Sequence, residues 1–580
     1  MVWCKHIQIT PRKIIHPLRI LINNSLPAWL FIFCAIVFAS GLGGDFVMDD
    51  WPVIKENNKI TDTKYIPDYF TRGVWANTDL AEEVGIGGHS LYRPVFLLTL
   101  NLSYQLWGDS ALGYHALNLM LHSINTILVY FLILGFLSPA YRMVAGMSAA
   151  IFAVHPVHVE SVAWIAGMTD PLVSLFLLSG FLLHRRGYQS TSRQKKWLYA
   201  ISAPLCFALA LLSKETAIFF PLILIIYDVL FQRSTLRSKS FVARYLTYAA
   251  LLLIYFVLRS NALDEGDIQQ SGAWARINVQ NFPVLLAFFT HYIQLLVFPS
   301  PLEYYYSPPS PGMFVLVTGG LFFVGALSYL PRALRQQQGL YVLAIAWVII
   351  TLLPALPIAL FDEPVFAQRV LYLPSAGFAM LIAWAIRQAQ QRSHTVGVVV
   401  KTVAIVLLIS FSIASMTEIA DWENDTVFYS QAMRTNPDSF KPVVGLATAY
   451  ARNTDQNTDA IIDLYLKAAE LAPRETDKIN FQETVARIYG QSGDTRKSEQ
   501  LYRDIVHRMP KRSSAWVGLG NNALARGERE QALRFYQRAY EADPNNRIAS
   551  HNLALVYQQL GRLERAAFFR RLSQTPPVTQ

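Results

Sequence analysis

The chain has 580 residues, 53% of them hydrophobic and only 16% charged, with a mean hydropathy of +0.28. That composition excludes a wholly soluble protein and fits a polytopic membrane protein carrying a polar part. The formal net charge of +10 invites a nucleic-acid reading, but the basic residues cluster in short loops between apolar runs, where the positive-inside rule places them, so no nucleic-acid partner is expected.

Residues 1–25 carry Lys5, Arg12, Lys13 and Arg19 and no acid, ahead of an apolar run at 26–43. A basic flank before a hydrophobic segment also describes a signal peptide. This flank is long for one and many spans follow, so an uncleaved first span with a cytoplasmic N-terminus is expected. Residues 44–92 form a first external loop holding Asp45, Asp49, Asp50, Glu56 and Asp62, and a loop of that length between spans is more often functional than idle. The run 93–108 is short and broken by Asn101 and Gln105, which predicts a helix lying along the membrane surface.

Spans are expected at 112–136, 143–165, 168–184, 197–213, 216–231, 245–258, 313–330, 339–360, 370–386 and 397–416. Together with the first they make about eleven. The run 281–299 is read as interfacial or re-entrant, because a crossing there would put Arg332 and Arg335 outside. The external loop after 258 carries Asp264, Glu265 and Asp267, and Tyr304, Tyr305 and Tyr306 suit an interfacial loop. The loops 185–196, 232–244 and 387–396 are basic and therefore cytoplasmic, which puts the residues after 416 on the other side.

Ionisable residues interrupt the apolar pattern between 154 and 171: His155, His158, Glu160 and Asp170, with Pro156 and Gly167 as helix breakers. Such groups at bilayer depth are costly and usually line a wet cavity or a site, so the stretch is read as the polar wall of an active-site cavity at a membrane surface. The pair Asp49–Asp50 follows the first span by a few residues. A carboxylate held there can act as general base toward a hydroxyl, and two adjacent acids repel, which raises one pKa. Cys4, Cys34 and Cys206 offer neither a disulfide framework nor a zinc pattern.

After residue 417 the composition turns polar and a repeat emerges. Gly493, Gly527 and Gly561 are 34 residues apart, as are Ala486, Gly520 and Ala554, Pro510 and Pro544, and Tyr502 and Tyr536. Small residues at that period let paired helices pack closely in the manner of tetratricopeptide repeats, whose arrays present a face to peptide or protein. The chain thus reads as all-α, with a membrane domain over 1–416 and a tetratricopeptide α-solenoid over 417–580.

The ordered set Asp49-Asp50, Ser90-Leu-Tyr-Arg-Pro94, His155-Pro-Val-His158 through Trp164 with Asp170, Lys214-Glu215, and Arg369-Val-Leu-Tyr-Leu-Pro-Ser375 resembles the transmembrane-and-TPR O-mannosyltransferases, of the GT-C class. The resemblance covers nearly the whole chain, and the histidine-rich block is its most specific part. It implies a GT-C-like membrane fold with a periplasmic or lumenal active site and a polyprenyl-phosphate sugar donor. It also implies inverting transfer to a hydroxyl of a protein or peptide acceptor held at the repeats. A bacterial inner membrane with periplasmic repeats is expected, or an endoplasmic reticulum membrane with lumenal repeats in a eukaryote. By the same resemblance Asp49 or Asp50 is the catalytic base and Arg369 meets the donor phosphate. Gln368 departs from the acid the family tends to carry there.

The residues themselves agree in part. Lys214 and Arg369 are cations at outer span ends and Arg93 is a third: arginine grips phosphate through a planar fork and lysine as a point charge, while each equally suits interfacial snorkelling. Glu215 accompanies Lys214 at the same turn. Glu160 and Asp170 could position sugar hydroxyls or orient His155 and His158. His155, His158 and Glu160 are also common metal-ligand types, but a monophosphate donor needs less charge neutralisation than a diphosphate, so no metal and no cofactor is expected. Two other readings compete: a non-enzymatic membrane-anchored scaffold, for which one or two spans would suffice, and transport of a lipid-linked sugar, for which mid-span charges such as Asp228 would be needed.

Overall fold

The computed structural model describes residues 25–78, 91–263, 281–300, 302, 313–360, 366–453 and 457–574. The basic stretch before residue 25, the segment 87–90, the acids at 264–267 and Tyr304–Tyr306 lie outside them. The described residues divide into two compact units, 1–428 and 429–580.

Apolar runs of span length become helices because nothing in lipid can satisfy their backbone except the helix itself. The first unit contains α1 (Leu26–Phe38), α2 (Pro94–Trp107), α3 (Ala111–Leu134), α4 (Arg142–Ala153), α5 (Thr169–Gln189), α6 (Arg193–Ser213) and α7 (Phe220–Phe231). They are followed by α8 (Lys239–Ala262), α9 (Phe282–Val297), α10 (Met313–Arg335), α11 (Gly339–Leu352), α12 (Pro374–Arg392) and α13 (His394–Ile419). Among the described residues, seven helical segments are long and apolar enough to cross a membrane, or eight if α4 and the short helical stretch after it form one broken span. The shorter α7, α11 and α12 correspond to the other three expected spans, and α9 to the run 281–299. Lipid-facing residues such as Ile36, Leu253 and Ile413 stay exposed, as a bilayer allows.

The break after α4 decides where the site forms. The chain bends by 54° between Ala153 and Pro156 and stops being helical again around Trp164. Each break frees carbonyls that would be ruinous in hydrocarbon unless paired. Polar side chains of α3 take them up. His122 Nε2–H donates to Ala153 O (2.8 Å) and Asn118 Nδ2 to Trp164 O (2.8 Å), while Asn125 Nδ2 donates to Pro171 O in the first turn of α5 (2.8 Å). From α13, Ser415 Oγ donates to Val154 O at 2.8 Å. Because Nε2 of His122 must carry its proton, Nδ1 accepts from the Tyr372 hydroxyl at 2.8 Å.

The second unit stacks helix pairs α14 (Phe440–Arg452) with α15 (Thr458–Leu471), α16 (Glu475–Gln491) with α17 (Thr495–Arg508), α18 (Ser513–Ala525) with α19 (Arg529–Ala542) and α20 (Arg547–Gln559) with α21 (Leu563–Gln574). The three glycines of the 34-residue period close α16, α18 and α20 at φ +90°, +79° and +73°, a left-handed geometry that would cost any side-chain-bearing residue about 1–2 kcal/mol. Ala486 and Ala554 are buried, and a Cβ at Gly520 would sit 2.4 Å from the Tyr536 ring. Replacing Gly520 by leucine should therefore destabilise this unit by about 1–3 kcal/mol through overpacking. Chemical unfolding of a 429–580 fragment should show the lower midpoint.

Candidate active site

The first loop returns to the membrane domain through one carboxylate. Asp50 is fully buried and accepts from Val47 N–H (3.0 Å) and, with its other oxygen, from Ala166 N–H (2.8 Å). The indole of Trp164 donates to Val47 O (3.1 Å), and the Met48 N–H donates to Asp425 (2.8 Å). These bonds hold Met48 at φ +55°, a left-handed geometry worth about 1–3 kcal/mol of strain for a residue with a side chain. Adjacent residues point different ways, so pinning Asp50 inward turns Asp49 toward an open space.

That space is a cavity of about 310 Å3. Asp49, Arg93, Asp170, Lys214, Glu215 and Arg369 supply its charged wall, and Trp75, Phe96, Trp164, Pro354, Ile358 and Leu373 part of its apolar one. The charges are brought together by three ion pairs. Arg93, just before α2, forms a bidentate fork on Glu215, with Nε–Oε2 3.0 Å and Nη2–Oε1 2.5 Å. Lys214, at the end of α6, reaches both oxygens of Asp170 in the first turn of α5, at 2.7 and 2.6 Å. Arg369 is held by Glu160, which takes the Arg369 backbone N–H (2.8 Å) and its guanidinium, while the guanidinium lies 5.2 Å from the centre of the Trp164 ring.

The electrostatics follow from crowding. Burial pulls the Lys214 ammonium below its ordinary value, with Arg93 and Arg369 adding to the effect against Asp170. For Glu215 burial pushes upward, but the Arg93 guanidinium and Lys214 outweigh it and hold the carboxyl down to about 2. Burial, reinforced by Asp49 and Asp425 and opposed by its two backbone donors, raises Asp50 well above its ordinary value. Asp49 is close enough to Arg369 to act on its charge.

Of the ten residues singled out from the sequence, six line the cavity and a seventh, Glu160, grips one of them. Three do not. Asp50 is the buried clamp described above. His155 donates through Nε2 to Leu296 O (2.9 Å) and accepts from Val157 N–H (3.4 Å), so both nitrogens are occupied by backbone. His158 is fully buried, with Nε2 2.8 Å from Ser375 Oγ. The histidines thus pack the bend rather than wall the cavity, and among the described residues no group of three His, Cys, Asp or Glu side chains converges on a common point. Sequence reasoning missed Thr169 and Trp75, which also line the space, and the supporting Asn118, His122 and Asn125. The only signal for the last three was an unusual density of polar residues within one apolar span.

With that geometry in hand, the chain can be set beside known proteins. The family model for dolichyl-phosphate-mannose-protein mannosyltransferase matches residues 89–259, and the model for tetratricopeptide repeats matches 486–547 and 517–577. The membrane part is therefore similar to a class of glycosyl-transferring membrane proteins. More particularly, the mouse protein O-mannosyl-transferase TMTC3 is 24% identical over 92% of this chain and 64% of its own length. The Caenorhabditis elegans protein O-mannosyl-transferase F38B6.6 is 28% identical over 70% of this chain and 57% of its own, and human TMTC1 is 24% identical over 78% and 56%. The chain is similar to these protein O-mannosyl-transferases and spans less than two thirds of their length.

Two outcomes are expected from stability measurements in detergent. Asp50→Ala orphans two buried N–H groups at about 1–3 kcal/mol each and should lower the unfolding temperature markedly, whereas Asp49→Asn should leave it nearly unchanged. For Glu215, whose carboxyl lies near 2 against an ordinary 4.5, the stabilisation is complete above 4.5 and is lost as pH falls toward 2. The gap in unfolding temperature between wild type and Glu215→Gln should accordingly stay constant above pH 4.5 and close below it.

Proposed function

We propose that this protein is a membrane glycosyltransferase that moves a mannose or similar sugar from a polyprenyl-phosphate donor to a hydroxyl of a protein, on the non-cytoplasmic side and with inversion. The observation that carries the reading is the cavity itself, where an accessible carboxylate, Asp49, faces a set of cations next to an apolar wall. The named relatives and the family model support the transferase class.

The chemistry follows from charge. Asp49 takes the proton from the acceptor hydroxyl as its oxygen attacks the anomeric carbon. The bond from that carbon to the phosphate oxygen breaks, and the lipid phosphate leaves with one more negative charge than it brought. A fixed guanidinium beside it stabilises the transition state more than the ground state. Arg369 is the best placed of the three cations. Its side chain is 30% exposed against 14% for Arg93 and 8% for Lys214, so it can meet a phosphate while the other two hold the local positive field. Asp170 and Thr169 are the groups at hand for sugar hydroxyls. The charge neutralisation asked for here comes from these side chains and calls for no metal. The repeats would present the acceptor, and the basic loops support the reading that they lie in the periplasm of a bacterium, or in the lumen of a eukaryotic endoplasmic reticulum.

In a purified assay with polyprenyl-phosphate mannose and acceptor peptides, Asp49→Asn should lower kcat by about 10²–10⁴-fold with little change in donor affinity. Arg369→Ala should weaken donor binding and turnover together. Full turnover by Asp49→Asn would move the base elsewhere, to Asp170 first.

A further inference from the structure

A second cavity opens at the far ends of α5, α6 and α8, on the side of the bundle away from Asp170 and Lys214. It measures about 980 Å3. Lys196 lies eighteen residues before Lys214 on α6, about 27 Å along the helix, close to the thickness of a bilayer's hydrocarbon core. The two cavities therefore face opposite membrane surfaces.

The lining is graded. At one end stand three cations, Arg193, Lys196 and Arg244, with the hydroxyls of Tyr188, Thr235 and Ser240, and among the described residues no carboxylate lines the cavity. Toward mid-membrane the wall becomes apolar, with Ile201, Leu205, Ala208 and Leu251. Trp197, Ile201 and Leu205 are more than half exposed, so the cavity is open to the acyl region. Beneath the polar end, buried Asp228 accepts from His184 (3.0 Å), Tyr188 (2.8 Å) and Tyr245 (2.9 Å) and lies 3.9 Å from Arg244, which fixes the floor without placing a negative charge in the opening. The buried Tyr248 hydroxyl of this wall finds no hydrogen-bond partner among the described residues, and Arg244 Nη1 makes no hydrogen bond beyond its ion-pair contact with Asp228. Buried polar groups in native proteins are paired, so a donor left over in a basic cavity points to an acceptor supplied from outside.

Snorkelling alone would put basic side chains at this membrane surface, but it would need neither a cavity nor an orphaned donor within one. Cations above an apolar slot that opens sideways to lipid match a phosphodiester headgroup with acyl chains. We propose that this cavity is a binding site for an anionic phospholipid, which clamps the ends of α5, α6 and α8 opposite the candidate active site.

The test uses the full-length protein purified in neutral detergent, with native mass spectrometry and thermal unfolding as readouts. Phosphatidylglycerol should bind and raise the unfolding temperature, and phosphatidylcholine and inorganic phosphate should not. Arg193→Gln with Lys196→Gln, both on the exposed surface, should weaken phosphatidylglycerol binding at least tenfold. Tyr248→Phe, which keeps the ring and removes only the hydroxyl, should weaken it several-fold. Equal stabilisation by phosphatidylcholine, protection by inorganic phosphate alone, or unchanged phosphatidylglycerol binding in the double variant would each overturn the proposal.

Discussion

The membrane unit depends on the carboxylate of Asp50. It bridges the turn after the first span to Ala166, and so ties the first loop to the broken stretch that leads into α5. One side of the cavity wall is referenced to that tie. Asp170 lies four residues beyond Ala166, Trp164 lies two before it, and Asp49 is the neighbour of Asp50. A buried carboxylate is tolerable only if its oxygens are satisfied, and backbone N–H groups are the most rigid donors available. The same bond therefore sets both the register of the loop and the direction in which Asp49 points.

The second determinant is the helix break. A continuous helix through 142–165 would have laid Glu160 and Trp164 along an ordinary span. Pro156 and the turn near Gly167 instead fold the chain back, and a Cβ at Gly167 would come within 2.5 Å of the Glu160 carbonyl oxygen, so only glycine permits that closeness. The exposed backbone is then covered by Asn118 and His122 from α3 and by Ser415 from α13. Those residues stand outside the cavity lining among the described residues. They make an irregular segment admissible at membrane depth.

Much of this was legible in the sequence. Apolar length and the basic loops marked the spans, since bilayer thickness and backbone satisfaction leave few alternatives. The 34-residue period marked the repeats, because left-handed turns and close helix contacts both demand small residues at fixed places. Lys214, Glu215, Arg93 and Arg369 stood out as charges at span ends, and all four line one cavity. Which partner each would choose was not legible: Arg93 pairs with Glu215 across 122 positions and Arg369 with Glu160 across 209, separations that no local pattern encodes. The histidines misled for a physical reason. A neutral imidazole can serve as a core hydrogen-bonding group as readily as it serves a ligand, and only the partners of its two nitrogens distinguish the roles.

The left-handed glycines at 493, 527 and 561 have a consequence at the level of descent. Because each turn is closed by the same backbone geometry at the same interval, the helix pair between two of them is a self-contained cassette whose ends are interchangeable. An in-frame duplication or deletion of thirty-four codons at such a boundary would join a turn to an equivalent turn. Array length can thus drift between lineages while the membrane unit and its charged cavity stay untouched, and the reach of the array evolves separately from the chemistry to which it is joined.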